Sequence, residues 1–257
     1  MTNPTEKVYG NARLRFILGA CLATCLVGCA TSTKYKLKTD RVQAIDVSLT
    51  AASQPIEGTV HTIIFYEGPG SWKEKALWDE YLVSVTNTGP SPVVLEAAQL
   101  NHLGEYIQEP GNDPWELERT SEKYWDHYRE TGVNLAKGSI GVAALGVVYS
   151  ASYVVYGVVD PVFVVVAPVA IVANAYNVKA ADDINKQVIE DEFERRTLSF
   201  PVTIGPGEKI AGCLFFPQSP KPETLALTFG FGESEKRLEF NLADTPLAGL
   251  HIDDESK

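Results

Sequence analysis

The stretch Gly138–Tyr176 restricts the fold more than any other feature: thirty-nine residues with a single charge, Asp160. A contiguous apolar surface of that size is not left exposed in a soluble monomer, so any fold has to cover it. Asp160-Pro161 divides the stretch into about twenty-two and fifteen residues and would serve as a turn between antiparallel helices. The first part is long enough to span a bilayer. Its small residues, with Ser139/Ala143 and Gly146/Ser150 four apart, permit close helix approach. Three arrangements meet the requirement. The segment forms an apolar hairpin packed within the domain; or a hairpin that enters the membrane or joins copies into a homo-oligomer; or a pair of buried strands, since Val and Tyr dominate it.

Helical signals flank this segment, so residues 113–197 read as a helical insertion with the apolar hairpin at 138–176. Asp113 can cap, Pro114 suits a first helical position and Glu116 completes a capping box. Leu117, Ser121, Tyr124, Trp125 and Tyr128 then recur at helical spacing, and Gly132 is a stop. The second helix is expected over Asn177–Leu198. Val178, Ala181, Ile184 and Val188 lie on its apolar side, with Ile189 and Phe193 on adjacent rows. Its carboxylates Asp182, Asp183, Glu190, Asp191, Glu192 and Glu194 fit no oxygen-rich metal loop and read as a solvated face.

Residues 42–112 and 198–250 have a different texture. Short β-branched and aromatic runs alternate with Gly/Pro/Asn turns: Val42–Thr50, Thr59–Tyr66, Trp78–Thr88 and Val93–Leu100, then Leu198–Ile204, Lys209–Phe216, Thr224–Phe231 and Arg237–Leu242. The turn Asn87–Pro92 suggests that Val93–Leu100 pairs with the strand before it. The spacing predicts an α+β fold: an immunoglobulin-like antiparallel β-sandwich with the helical region inserted between its two parts. Pro206-Gly207 before an apolar strand ending Leu214-Phe215-Phe216-Pro217 also resembles a segment of immunoglobulin-like periplasmic domains of bacterial lipoproteins.

At the N-terminus, Lys7, Arg13 and Arg15 stand against one acid, Glu6, and precede the uncharged run Phe16–Gly28, too short to cross a membrane. The run closes on Leu26-Val27-Gly28-Cys29, which resembles the lipobox of bacterial lipoproteins. The resemblance implies a signal peptide over 1–28, cut between Gly28 and Cys29, and lipidation of Cys29. Two or more acyl chains anchor stably. Ala30, where an Asp would specify inner-membrane retention, implies the outer membrane. Residues 29–41 then read as a lipidated tether and 251–257 as an acidic tail. An exported chain also has to pass the inner membrane, which weighs against a simple transmembrane reading of Gly138–Tyr176.

Charge and cysteines follow from this processing. Removing three bases and one acid from a net −11 leaves −13. That balance argues against nucleic acid and against docking on anionic lipid by charge alone. Cys21 and Cys25 leave with the signal and Cys29 is consumed, so Cys213 has no partner within the chain and reads as a buried core thiol. The four histidines (His61, His102, His127, His251) belong to no motif. There is no phosphate loop, nucleophile elbow or zinc spacing. Asp126-His127 are adjacent on a helix and do not face each other. No catalytic residue, metal ligand or cofactor is assigned. Trp72 and Trp78 are expected to cover the sandwich edge. The sequence therefore points to a non-enzymatic, lipid-anchored envelope module, held to the membrane through Cys29 and contacting an envelope protein or the cell wall. The alternatives are a membrane-active or self-assembling protein using 138–176, and an envelope hydrolase, for which no motif speaks.

Overall fold

The computed structural model describes residues 35–38, 43–133, 135, 175–231 and 234–252. Nine strands and two helices occur among them: β1 Ile45–Ser53, β2 Ile56–Ile64, β3 Trp78–Asn87, β4 Val93–His102, β5 Tyr106–Gln108, α1 Pro114–Glu130, α2 Ala175–Arg196, β6 Val202–Ile204, β7 Lys209–Pro217, β8 Pro222–Phe231 and β9 Ser234–Asn241. A single 3₁₀ turn, Pro246–Gly249, follows. All ladders are antiparallel. One sheet has the order β1-β2-β3-β7; in the other β4 lies between β8, itself flanked by β9, and an edge shared by β5 and β6. The main core draws on both sheets, with Val83, Val85, Leu95, Leu227, Phe229 and Leu238 all buried. The two sheets thus form a β-sandwich. They pack tightly at Gly58 of β2, where an added Cβ would lie 2.6 Å from Leu238 Cδ2 and 2.8 Å from the Phe240 ring.

The strands are those the alternation predicts, except β5, which is too short to carry a pattern. Their partners differ from expectation in one place. Val93–Leu100 does not pair with the strand before it: β3 lies between β2 and β7, and β4 beside β8. The reason is the corner between them. Asn87 is fully buried and donates through Nδ2 to the Ser91 and Ile204 carbonyls (2.8 and 3.0 Å), while its Oδ1 accepts from Gly89 N (2.9 Å). Pro90 and Pro92 lack the N–H groups a hairpin ladder would use. The chain is turned out of one sheet and into the other. A bulge between Leu95 and Ala97 then moves β4's inward set from Val93 and Leu95 to Ala98 and Leu100. One inserted residue reverses which positions face inward.

A second core lies on the outer face of β3 and β7. Ala76, Trp78, Cys213 and Phe215 are covered there by Leu117 of α1 and Phe193 of α2. Strand β7 is therefore buried on both faces, which explains the unbroken apolar run Cys213–Phe216. Asp113 caps α1 as expected, accepting from Trp115 N (2.7 Å) and Glu116 N (3.1 Å). Leu117, Ser121, Trp125 and Tyr128 are buried and Gly132 ends the helix at φ +83°. Helix α2 is rolled away from the expected stripe: Ile189 and Phe193 are buried, whereas Ile184 is 52% exposed. The aromatic surface of Trp78 and Phe215 sets that roll, because only Phe193 reaches it. The predicted hairpin falls outside the described residues up to position 174; Ala175 and Tyr176 begin α2. No helix among the described residues is long and apolar enough to cross a membrane.

Candidate functional site: the seat of the N-terminal segment

Within the stretch read as a tether, residues Tyr35–Lys38 are docked onto the body. Leu37 bridges Lys73 in antiparallel fashion. Lys38 N donates to the Trp72 carbonyl and Glu74 N to the Lys36 carbonyl, both at 2.8 Å. Lys36 pairs with Glu74 at 3.1 Å. The Tyr35 ring meets Trp115 of α1 edge-on, with centroids 5.2 Å apart. The loop between β2 and β3 thus receives the incoming chain, and α1 closes over it.

Beneath this seat lies a buried ion pair, Lys73 with Glu118 of α1, their side chains 1% and 8% exposed. The ammonium also lies 5.3 Å from the Trp78 ring centroid and 5.7 Å from that of Trp115, within range of cation–π attraction. Trp115 donates to Glu190 of α2 and carries Lys186 over its ring at 5.6 Å. Tyr35, Trp115, Glu118, Arg119, Glu122 and Lys186 line a cleft of about 230 Å³. Next to it, Arg196 pairs with Glu80 (3.0 Å) and Glu192 (2.7 Å) and lies over Trp72. Trp72 in turn donates to Glu80 (2.8 Å). Burial works against the Arg196 charge, but the two carboxylates outweigh it and hold the guanidinium more firmly protonated than usual. Trp78 is therefore core, and Trp72 is the plate on which Arg196 rests. Cys213 lies below them, buried; burial, reinforced by Glu80, pushes its thiol well up.

A second polar cluster joins the sandwich to the other flank of α1. Asp79 of β3 accepts from His251 Nε2 (2.8 Å) and from Ser219 N (2.9 Å). Ser219 Oγ donates to Gln108, Gln108 Nε2 donates to the Tyr128 hydroxyl (3.4 Å), and that hydroxyl lies 3.3 Å from His102 Nε2. Asp79, His102, Ser219 and His251 are fully buried and Gln108 is 5% exposed. An acid, a histidine and a serine are thus close together, but Ser219 bonds Gln108 and a backbone carbonyl, not the imidazole. This is not a nucleophile–base–acid relay. Its role is to weld β3, β5, α1 and the C-terminal residues into one body, so His251 and Ile252 belong to the fold, not to a solvated tail.

Burial lowers the His102 imidazole from 6.5 to about 4, against the opposing pull of a hydrogen bond that the ring donates to the Pro220 carbonyl. A ring that stays neutral when folded and gains a proton when unfolded favours unfolding as acid is added. Its contribution is complete above about pH 6.5 and is lost towards pH 4, on the order of 3 kcal/mol in all. Urea titrations at pH 7 and pH 4 should therefore show a smaller acid loss for His102→Gln than for the parent. Equal losses would mean that the ring is protonated in the folded protein.

The remaining sequence-named residues are dispersed. His61 lies on the outer face of the first sheet, 2.8 Å from the Ser84 hydroxyl; burial lowers its affinity for a proton, Lys209 lowers it further, and Asp46 opposes. Asp126 pairs with Arg129 at 3.3 Å, while His127 approaches Tyr106 at 3.4 Å, so the adjacent acid and base point to different partners. Of the six α2 carboxylates, Glu190 and Glu192 bind cations of the protein itself. Among the described residues no three ligand-type side chains gather as for a metal. Gly28 and Cys29 lie outside the described residues. The sequence reading missed both the Lys73–Glu118 pair and the Asp79–His251 cluster. Lys73 and Asp79 each follow a Trp but precede a Glu, Glu74 and Glu80, so the local sequence did not mark either as buried. No protein-family model, curated protein or solved structure matches the chain.

Proposed function

We propose that the protein is a lipid-anchored, non-enzymatic binding or structural module of the bacterial cell envelope, held at the outer membrane by acyl chains on Cys29. The observation that carries this reading is the order of two features along the chain. A lipobox-like Leu26-Val27-Gly28-Cys29 is followed, after only Ala30–Lys34, by a segment clasped to the folded body. A signal and anchor that lead straight into a seat on the domain fit a protein whose purpose is to be held at a surface.

The sandwich is of the immunoglobulin-like type. Support comes from the pairing of β3 with β7 and of β4 with β8, with β8 next to β9. The chain crosses from sheet to sheet after β3, back after β6 and again after β7, in the Greek-key manner of those domains. Such sandwiches carry binding functions on their loops and faces, and this inference from fold to role is one of analogy.

The test is Cys29→Ala in the full-length chain. The parent should fractionate with the outer membrane, require detergent for release and carry the mass of a diacylglyceryl thioether with an acylated amine. The variant should move to the soluble periplasmic fraction or stay as unprocessed precursor. A parent whose mature mass shows no acyl groups, or a variant that stays in the outer membrane fully processed, would overturn the reading.

A further inference from the structure

We infer that the face built from Tyr35, Lys36, Trp115, Arg119 and Lys186 rests on the phospholipid headgroup surface that holds the anchor. This rests on the lipid-anchor reading above and adds an orientation to it. Six chain steps separate Cys29 from Tyr35. At full extension they span at most about 21 Å. Residue 35 cannot drift from the body, because Leu37, Lys38 and Lys36 are each tied to the loop at Trp72–Glu74 and the Tyr35 ring is set against Trp115. The exit point of the anchor is therefore a fixed spot on the domain, and the membrane lies within reach of that spot alone.

The long axis of the sandwich points away from it. Trp78, beneath the seat, begins β3, and Thr86, eight residues on, pairs with Lys209. At strand rise that places Lys209 about 26 Å from the Trp78 end. The pole with the Asn87 corner and the Gly205–Gly207 turn is thus the distal one.

The chemistry of the near face suits headgroups. In a processed chain of net −13 an anionic surface repels most of the protein. At the exit the acids are engaged by the protein's own groups: Glu74 by Lys36 (3.1 Å), Glu118 by Lys73, and Glu190 by Trp115 and Lys186 (3.7 Å). Arg119 is exposed there and Lys186 half-buried, and Glu122 is the one cleft-lining acid without such a partner. Tyr and Trp beside cations are residues that favour the headgroup layer.

The experiment uses the lipidated full-length chain, taken from the envelope and placed in vesicles of phosphatidylethanolamine and phosphatidylglycerol with a nitroxide on the headgroup. Single cysteines are introduced at exposed sites near the exit (Glu122→Cys, Lys123→Cys) and at the distal pole (Lys209→Cys), each carrying a fluorophore; native Cys213 is buried and stays unlabelled. Quenching at positions 122 and 123 should exceed that at 209 several-fold. Equal quenching at the three sites, or stronger quenching at 209, overturns the orientation. The mass of the same preparation separates the two ideas: a protein without acyl groups defeats the anchor reading, whereas an acylated protein with equal quenching defeats only the orientation.

Discussion

Glu118→Ala should destabilise the fold by about 3–5 kcal/mol, because it takes the carboxylate of a buried ion pair away from the desolvated Lys73 ammonium under the N-terminal seat. The Lys73 side chain is 1% exposed, and its neighbours besides Glu118 include the Glu74 carbonyl at 3.3 Å and two indole faces. Carbonyl and aromatic contacts soften the loss but do not replace a carboxylate. The comparison that decides the matter is the double variant Lys73→Met/Glu118→Leu. A buried ion pair exchanged for apolar groups of similar volume is often neutral or stabilising. The double variant should therefore recover most of what Glu118→Ala loses in urea denaturation. If the double variant is as unstable as the single one, the loss comes from packing and not from the stranded charge. The pair also positions Trp115 and so the ring that Tyr35 meets. The double variant should thus remain folded with a looser N-terminal segment, detectable as faster proteolysis after Lys36.

Phe193→Ala is the second large effect, again about 3–5 kcal/mol, the cost of emptying a closed aromatic site. The ring stacks on Phe215 with centroids 4.0 Å apart and meets Trp78 edge-on at 5.8 Å. It is 2% exposed and, with Ile189, forms the buried contact of α2 with the sandwich. Each stacked or edge-on pair adds about 0.5–1.5 kcal/mol to the area term. Ile184→Ala on the same helix is the control: at 52% exposure it should change stability by no more than about 0.5 kcal/mol. Equal effects at the two positions would mean that α2 is rolled differently on the sheet. The expected asymmetry also predicts the character of the Phe193 variant. The main sandwich core is separate from the aromatic cluster, so the loss should fall on the helices, with the β signal in circular dichroism retained beyond the helical one.

Much of the local structure could be read from the residues themselves. The alternation of Tyr81, Val83 and Val85 announced an inward face, and all three are fully buried. Asp113-Pro114 announced the start of α1 to the residue. These signals are local: a period of two or of 3.6, or a side chain that can reach a backbone N–H three positions on, belongs to a short window of chain. The roll of α2 was not legible in this way. Ile184 and Phe193 are both apolar, and only the presence of Trp78 and Phe215 opposite selects the second.

The candidate site was largely illegible for the same reason. Lys73 and Glu118 are 45 residues apart and Asp79 and His251 are 172 apart. Charged residues at such separations carry no mutual signal in one sequence, since an exposed Lys and a buried paired Lys look alike until the surrounding surfaces meet. By itself the sequence determined the β-rich halves, the capped first helix and an N-terminal motif of the lipobox kind. It was the tertiary structure that decided that β3 lies beside β7 and not β4, that residues Leu37 and Lys38 are clasped at Trp72–Glu74, and which polar groups share the interior. Periodicity fixes which face of an element turns inward, but the partner across that face is chosen by the complementarity of surfaces that only the assembled chain brings together.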